Sequence, residues 1–166
     1  LLTLARAEPE SAAAQGRTRV ELLKLAGEVA AEWVPKARQA GIDLGFEDGD
    51  GSPVVVSGNA LLLREAIANL IDNAIRYAGR GATVTVRVRA LGPDAQIEVE
   101  DNGPGIAPAD RERVFERFAC ATMQGDGCGL GLPIVREIAQ RHGGQVSLEG
   151  AAPKGLRVLL RLPRLP

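Results

Sequence analysis

Apolar residues recur at helical spacing over residues 63–78, where Leu63, Ile67, Leu70, Ile71, Ala74, Ile75 and Ala78 share one face. The opposite face carries Asn69, Asn73 and Arg76, with Tyr77 at its edge. Asn69 and Asn73 are i, i+4 neighbours, so their amides project together from adjacent turns. A solvated face more often carries Lys and Glu, because Asn is a poor helix former that competes for the backbone. Two readings stand at this point. The stretch is an ordinary amphipathic helix, or its amides and guanidinium hold a hydrated Mg²⁺ and the phosphates it bridges.

The pattern elsewhere alternates helix and strand. Residues 1–9 read as the last turns of an amphipathic helix stopped before Pro9, and residues 10–16 as a linker. Residues 17–22 predict a short strand. The helix that follows runs to about Ala40, with Gly41 as its C-terminal stop. Ile42, Leu44 and Phe46 alternate as a strand, Asp48 to Gly51 turns, and Val54 to Val56 form a second, fully apolar strand. Asn59 is placed to cap the central helix.

Beyond Gly81, Val84, Val86 and Val88 face one way and Thr83, Thr85, Arg87 and Arg89 the other. Ile97 and Val99 answer them across a Gly92-Pro93-Asp94 turn, which predicts a hairpin with one buried and one wet face. Residues 111–118 predict a short helix with Val114, Phe115 and Phe118 inward, and residues 119–126 a mobile loop. Residues 133–139 form a further amphipathic helix with Pro in its first turn. Residues 145–149 and 155–162 close the chain as a hairpin, with Leu156, Val158, Leu160 and Leu162 inward.

Candidate chemistry concentrates between these elements. Asp101 shares the parity of Ile97 and Val99, so the strand ends with a carboxylate on its core face. Such a group needs donors. It either caps the turn made by Asn102, Gly103, Pro104, Gly105 and Ile106, or forms a pocket floor that accepts from a ligand's amino group. The strand parity favours the pocket. Gly127, Gly129 and Gly131 precede a helix N-terminus, where exposed backbone N–H groups suit phosphate. His142, the single histidine, sits at a helix end in a packing or capping position.

Composition narrows the classes. At 166 residues the chain suits one domain with a short appendage, divided here as 1–16 and 17–166. It is 45% hydrophobic but only 3% aromatic, so its core must be aliphatic. A net charge of −1 with scattered basic residues gives no case for nucleic acid as a partner. No apolar run reaches membrane-spanning length. Cys120 and Cys128 are too few for a disulfide scaffold and fit incidental thiols in a reduced, cytoplasmic setting. The chain opens on Leu1 in mid-pattern, so it reads as a fragment.

Taken in order, the Asn-bearing helix, Asp-x-Gly-x-Gly, Phe-Glu-Arg-Phe and Gly-x-Gly-Leu-Gly-Leu resemble the ATP-binding catalytic domain of bacterial sensor histidine kinases. That domain sits within the gyrase, heat-shock chaperone and mismatch-repair ATPase superfamily. The resemblance covers about residues 17–163, and residues 1–9 resemble the end of a dimerisation helix. It implies an α+β fold of Bergerat type, a two-layer sandwich of a mixed, mostly antiparallel sheet with about three helices on one face. It implies ATP and Mg²⁺ as cofactors, with Asn73 as metal ligand, Asn69 beside the phosphates, Arg76 on a phosphate and Tyr77 packed on the nucleotide. Asp101 would accept from the adenine amino group, with Gly103, Gly105 and Ile106 lining the base. Arg117 would meet the terminal phosphate. Gly127, Gly129, Leu130, Gly131 and Leu132 would shape the phosphate side.

The hydrolases of that superfamily place a Glu four residues before the metal Asn. Here that position is Asn69, an amide that cannot act as a general base. Glu65 lies eight residues from Asn73, roughly 12 Å along a helix. Phosphoryl transfer is therefore expected over hydrolysis. The resemblance puts the acceptor His on an upstream dimerisation domain, in a homodimeric protein anchored in the bacterial inner membrane that signals to a response regulator. The isolated 166 residues would be monomeric. Residues 119–127 carry no Lys or Arg, and Cys120 stands about where an Arg is expected. A nucleotide-binding switch without efficient catalysis is thus the alternative.

Overall fold

The computed structural model describes residues 17–115 and 131–166. The N-terminal helix and linker, Arg117, both cysteines, Gly127, Gly129 and Leu130 lie outside the described residues.

Strand β1 (Thr18–Glu21) leads directly into helix α1 (Leu22–Gln39). The junction is sharp because the Glu21 side chain caps the helix, accepting from Leu23 N at 2.8 Å and Lys24 N at 3.3 Å. Strands β2 (Asp43–Glu47) and β3 (Val55–Gly58) follow, and β3 pairs antiparallel with β1 in a small two-stranded sheet. Helix α2 (Ala60–Ala78) begins where Asn59 Oδ1 accepts from Leu62 N at 3.1 Å. Strands β4 (Thr83–Leu91) and β5 (Asp94–Asp101) form the expected hairpin. Helix α3 (Gly131–Arg141) and strands β6 (Gln145–Gly150) and β7 (Leu156–Pro163) complete the order.

The main sheet runs β2-β4-β5-β7-β6. Only β2 is parallel to its neighbour, which makes the sheet mixed and mostly antiparallel. The three helices cover one face. Every apolar position named on the central helix is buried, and Leu63, Ile67, Leu70 and Ile71 are fully so, packed over Val84, Val86, Ile97, Leu160 and Leu162. Burial of each such side chain is worth about 1.5–3 kcal/mol, so α2 is held mainly by its apolar face. On the solvent side Arg64 of α2 pairs with Glu28 and Glu32 of α1 at 3.2 and 2.8 Å.

Two expectations need correction. Residues 111–118 do not begin a regular α-helix: the chain makes two separate 3₁₀ turns, Pro108–Asp110 and Arg113–Phe115. The outer face of the β4–β5 hairpin is also less wet than alternation predicts, since Gln96 and Glu98 are each only 5% exposed. Arg87 reaches Glu98 and Glu100 at 2.7 Å and Glu47 at 2.6 Å. Arg157 reaches Glu149 at 2.7 Å and Glu100 at 3.4 Å. These long aliphatic stems lie across the open sheet face and take the place of a second helical layer. Among the described residues no helix is long and apolar enough to cross a membrane.

His142 is 6% exposed and has the packing role expected of it. Its Nδ1 lies 2.8 Å from Ile138 O and its Nε2 accepts from Asn59 N at 3.1 Å, so the neutral ring ties the end of α3 to the start of α2. Burial pushes its pKa below the ordinary 6.5, against the pull of the Ile138 carbonyl; the charges of Arg17 and Arg141 push it the same way as burial. A depressed folded pKa means that the unfolded chain takes up the proton first as pH falls. His142 therefore adds stability above pH 6.5 that is lost as pH falls from there through the folded pKa. Melting temperature should be flat from about pH 7 to 8 and decline below about 6.5, and His142→Gln should flatten that decline. An unchanged slope in that variant would assign the decline to other groups.

Candidate functional site

The site is built on the C-terminal half of α2. The apolar face of the helix is fixed to the sheet, so its other face is carried at a set height above the strand ends. Asn69, Asn73 and Tyr77 are half-buried there, and Arg76 is exposed and paired with Asp72 at 3.2 Å. The predicted face thus exists as a group. Asn73 departs from an ordinary helix surface in one respect. Its Nδ2 is enclosed yet has no hydrogen-bond partner among the described residues. Such a group is costly unless something else satisfies it.

What encloses it is the start of α3. Gly131, expected in the loop before that helix, lies within it and is its first described residue. A Cβ there would stand 2.7 Å from Asn73 Nδ2 and 3.3 Å from Oδ1. Glycine is needed at this position to let the helix N-terminus meet the amide. Leu132, immediately after, is 7% exposed and pins the turn to the core. Among the described residues the first N–H groups of α3 have no intrahelical acceptor, and no acidic side chain stands in its first turn. Anionic oxygen atoms are the natural occupants of such a place.

The second half of the site lies at the last residue of α2. Gly103 is pressed so closely on it that a Cβ would sit 2.6 Å from Ala78 Cα. The preceding residue, Asn102, is tied to the start of β4 through Oδ1, which accepts from Thr83 N at 2.8 Å. Asp101, 7% exposed at the end of β5, accepts from Gly103 N at 2.8 Å through Oδ1, and the Leu156 amide also donates to it. Burial pushes its pKa above the ordinary 3.8, the two amides pull it down, and the nearby Glu100 adds to the rise. The turn-capping reading is realised by this side chain. The carboxylate caps the turn while remaining a buried acceptor.

Gly105, at φ +78°, is close enough to β7 that a Cβ would lie 2.9 Å from Gly155 O. Ile106 is half-buried against the core, and its carbonyl accepts from Arg111 Nε at 3.1 Å. Sequence reasoning missed Gly155, which has φ +117° and whose Cα faces the carbonyl of Asp101 so closely that no side chain fits. It also missed the Leu156 amide and Asn102. Their contacts join residues 19 to 55 positions apart along the chain, and no local pattern marks them.

The two halves are about 7.5 Å apart along α2, the rise from Asn73 to Ala78. One end offers a buried carboxylate beside glycine backbone, and the other an amide beside a helix N-terminus. No group of three His, Cys, Asp or Glu among the described residues could cage a metal. A cation at Asn73 would take most of its oxygens from phosphates and water, which is how Mg²⁺ is usually held beside a nucleotide.

The same residues carry the likeness to known proteins. Residues 58–166 match the profile of the histidine kinase-, DNA gyrase B-, and HSP90-like ATPases. The chain is 37% identical over 167 residues to the sensor protein kinase PmrB of Pseudomonas aeruginosa, covering 99% of this chain but 34% of PmrB. The catalytic domain of the histidine kinase ThkA superposes with a TM-score of 0.80 at 28% identity, covering 89% of this chain and 95% of that one. The ATP binding domain of PrrB from Mycobacterium tuberculosis gives 0.74 at 30% identity, covering 91% and 99%. ThkA has also been solved with the response regulator protein TrrA, in a form that shares this fold (TM-score 0.74, 24% identity, 90% of this chain and 42% of that one). The chain spans about a third of the PmrB length. The chain therefore belongs to the histidine kinase-, DNA gyrase B-, and HSP90-like ATPase family, and the solved structures it resembles are catalytic ATP-binding domains of histidine kinases.

Proposed function

We propose that this domain binds Mg-ATP and passes the γ-phosphoryl group to a histidine on an upstream dimerisation domain, for onward transfer to a response regulator. The observation that carries the reading is the enclosed Nδ2 of Asn73, which stands against Gly131 of α3 and has no hydrogen-bond partner among the described residues. With Asp101 at the far end of the same helix segment, it supports a base end and a phosphate end along α2.

In this reading Asp101 accepts from the adenine amino group, while Gly103, Gly105 and Ile106 bring backbone and apolar surface to the ring. A carboxylate acceptor favours an amino group and disfavours a carbonyl at the same position. Tyr77 packs on the nucleotide, Asn69 and Arg76 lie beside the phosphates, and the first amides of α3 around Gly131 and Leu132 meet the charge that the phosphates bring. Arg117, Gly127, Gly129 and Leu130 complete the phosphate end. Asn73 holds the metal through its amide oxygen. Mg²⁺, when bound, supplies charge neutralisation across the phosphates. The acceptor imidazole forms the N–P bond as the bond from phosphorus to the ADP oxygen breaks, and the domain contributes positioning and electrostatic stabilisation.

Transfer is favoured over hydrolysis by what stands beside Asn73. Asn69, one turn away, offers an amide and no base, and Glu65 is exposed roughly 12 Å along the helix. The full-length protein is read as a homodimeric, membrane-anchored sensor whose catalytic domain works in the cytoplasm, and the 166-residue chain as a monomer.

The test supplies γ-labelled ATP and Mg²⁺ to the chain, alone and with a separately produced histidine-bearing helical hairpin. Acid-labile label should appear on the hairpin and fall at least about a hundredfold with Asn73→Ala, the loss expected when a group that positions transition-state charge is removed. Free phosphate from the chain alone would point to a hydrolase, and nucleotide binding with neither product to a switch. Asp101→Asn separates binding from folding. It should weaken ATP about 10- to 100-fold, the worth of a charge-assisted hydrogen bond. The raised pKa of Asp101 means that its contribution to stability is present below pH 3.8 and lost as pH rises through the folded value. At neutral pH the buried charge therefore costs stability, and Asp101→Asn should melt at the same temperature or higher. A lower melting temperature would mean that the carboxylate is structural.

A further inference from the structure

Residues 103–106 have little in their own sequence to hold them. Gly103 and Gly105 are permissive in backbone angle, and Pro104 offers no N–H for a hydrogen bond. The stretch is fastened by its surroundings instead. At its start Gly103 N donates to Asp101 Oδ1 at 2.8 Å, and at its end the Ile106 carbonyl accepts from Arg111 Nε at 3.1 Å. Arg111 is placed for this by the Pro108–Asp110 turn, because the Pro108 carbonyl accepts from its backbone N–H at 3.3 Å. The chain doubles back there, and the half-buried Arg111 side chain reaches the residue that precedes the turn by two positions.

The head of the same side chain meets a second segment. A Cβ on Gly150, the last residue of β6, would stand 3.2 Å from Arg111 Nη2. Gly150 pairs with Leu156, and Leu156 with Asp101, so the three occupy one row across the sheet. Residues paired in this way point to one face. The guanidinium therefore stands on the face that carries the Asp101 side chain, two strands or roughly 10 Å away from it.

Residues 103–106 are thus held between two charged groups. Asp101 accepts from an amide at one end, and Arg111 donates to a carbonyl at the other. Midway, Gly105 rests on the Gly155 carbonyl, where a Cβ would lie 2.9 Å from the oxygen. A stretch ordered in the free protein need not be ordered at the moment of binding, so a ligand that packs on it keeps more of its contact energy.

We propose that Arg111 is a positioning residue for the base end of the site, holding the Ile106 carbonyl so that residues 103–106 are set for the adenine ring before nucleotide arrives. The inference rests on the Mg-ATP reading and on the place given there to Gly103, Gly105 and Ile106. In that reading Arg111 itself meets no part of the nucleotide.

The test compares Arg111→Met and Arg111→Lys with the unaltered 166-residue chain. Methionine keeps most of the aliphatic stem and removes every N–H donor of the side chain. Measured by calorimetry, Arg111→Met should bind Mg-ATP about three- to tenfold more weakly, the range expected from one net hydrogen bond. In the labelled ATP and hairpin assay KM for ATP should rise by the same factor, with kcat at saturating ATP within about twofold, as when binding rather than transition-state contact is lost. An arginine needed only for folding would lower kcat as well, because less of the protein would be active. Arg111→Lys, which keeps a donor on the stem, should recover part of the loss.

A second readout needs no nucleotide. With ¹³C-carbonyl isoleucine incorporated, the Ile106 resonance, assigned through Ile106→Val, should move in Arg111→Met. An unmoved resonance, a fall in kcat matching the loss of affinity, or a lysine no better than methionine each overturns the inference. Failure of the unaltered chain to bind Mg-ATP overturns the nucleotide reading, and this inference with it. If the unaltered chain binds without transferring label, the kinase reading fails, and affinity and resonance still decide the role of Arg111. Equal binding by the unaltered and Arg111→Met proteins overturns this inference alone.

Discussion

Everything at the candidate site of this domain depends on one helix being held mainly by its apolar face. The side of α2 that meets the sheet carries fully buried Leu63, Ile67, Leu70 and Ile71, and these do most to fix the helix. The polar side is thereby left for chemistry. Asn73 can keep a buried Nδ2 without a hydrogen-bond partner among the described residues because the rest of the helix offsets its cost, which is on the order of 1–3 kcal/mol. A helix held by polar contacts on this face would have closed the site with its own hydrogen bonds.

Asp101 follows the same logic in a strand. Hydrophobic alternation along β5 drives Ala95, Ile97 and Val99 into the core, and continuing the pattern by one step brings a carboxylate with them. The surrounding backbone limits the penalty. Two amides donate to the carboxylate, and glycines at 103, 105 and 155 let three chain segments close around it. They do not abolish it, since burial still outweighs the amides and holds the pKa up. An acceptor made this costly in the free protein has the most to gain from a donor on a ligand. The raised pKa and the binding role proposed for Asp101 thus have one cause.

The sequence was legible where periodicity decides structure. The apolar face of α2, the cap at Asn59, the β4–β5 hairpin and the closing hairpin follow from spacings of two and of three to four residues, and all are present. The inward step at Asp101 was legible for the same reason. Periodicity says nothing, however, about what lies across a sheet or between helices. It left Gly155 as an ordinary hairpin residue, although its backbone lies directly on that of Asp101. It counted Glu98 as wet, although Arg87 and Arg157 lie over it. It began a helix at residue 111, where Glu112 and Phe115 answer to Arg136 on another helix and the chain makes a 3₁₀ turn over Arg113–Phe115. Arg117, Gly127, Gly129 and Leu130 lie outside the described residues, so their part rests on the motif that carries them.

The choice between transfer and hydrolysis turns on chemistry at one position of α2. A helix fixes the separation of residues four apart at about 6 Å along the axis, so whatever stands at position 69 is held beside the amide of Asn73. A carboxylate there could take a proton from water. An amide can orient oxygen atoms but has no basicity near neutral pH. Asn69 removes the base and leaves the geometry, and an imidazole acceptor needs no such base, because its neutral nitrogen already presents a lone pair. A site of this kind has little means of activating water, yet it can position a phosphoryl group for a nucleophile that arrives ready to react. In the function proposed for it, the domain would then keep ATP intact until a histidine is presented to it, because an amide stands where a base would be needed.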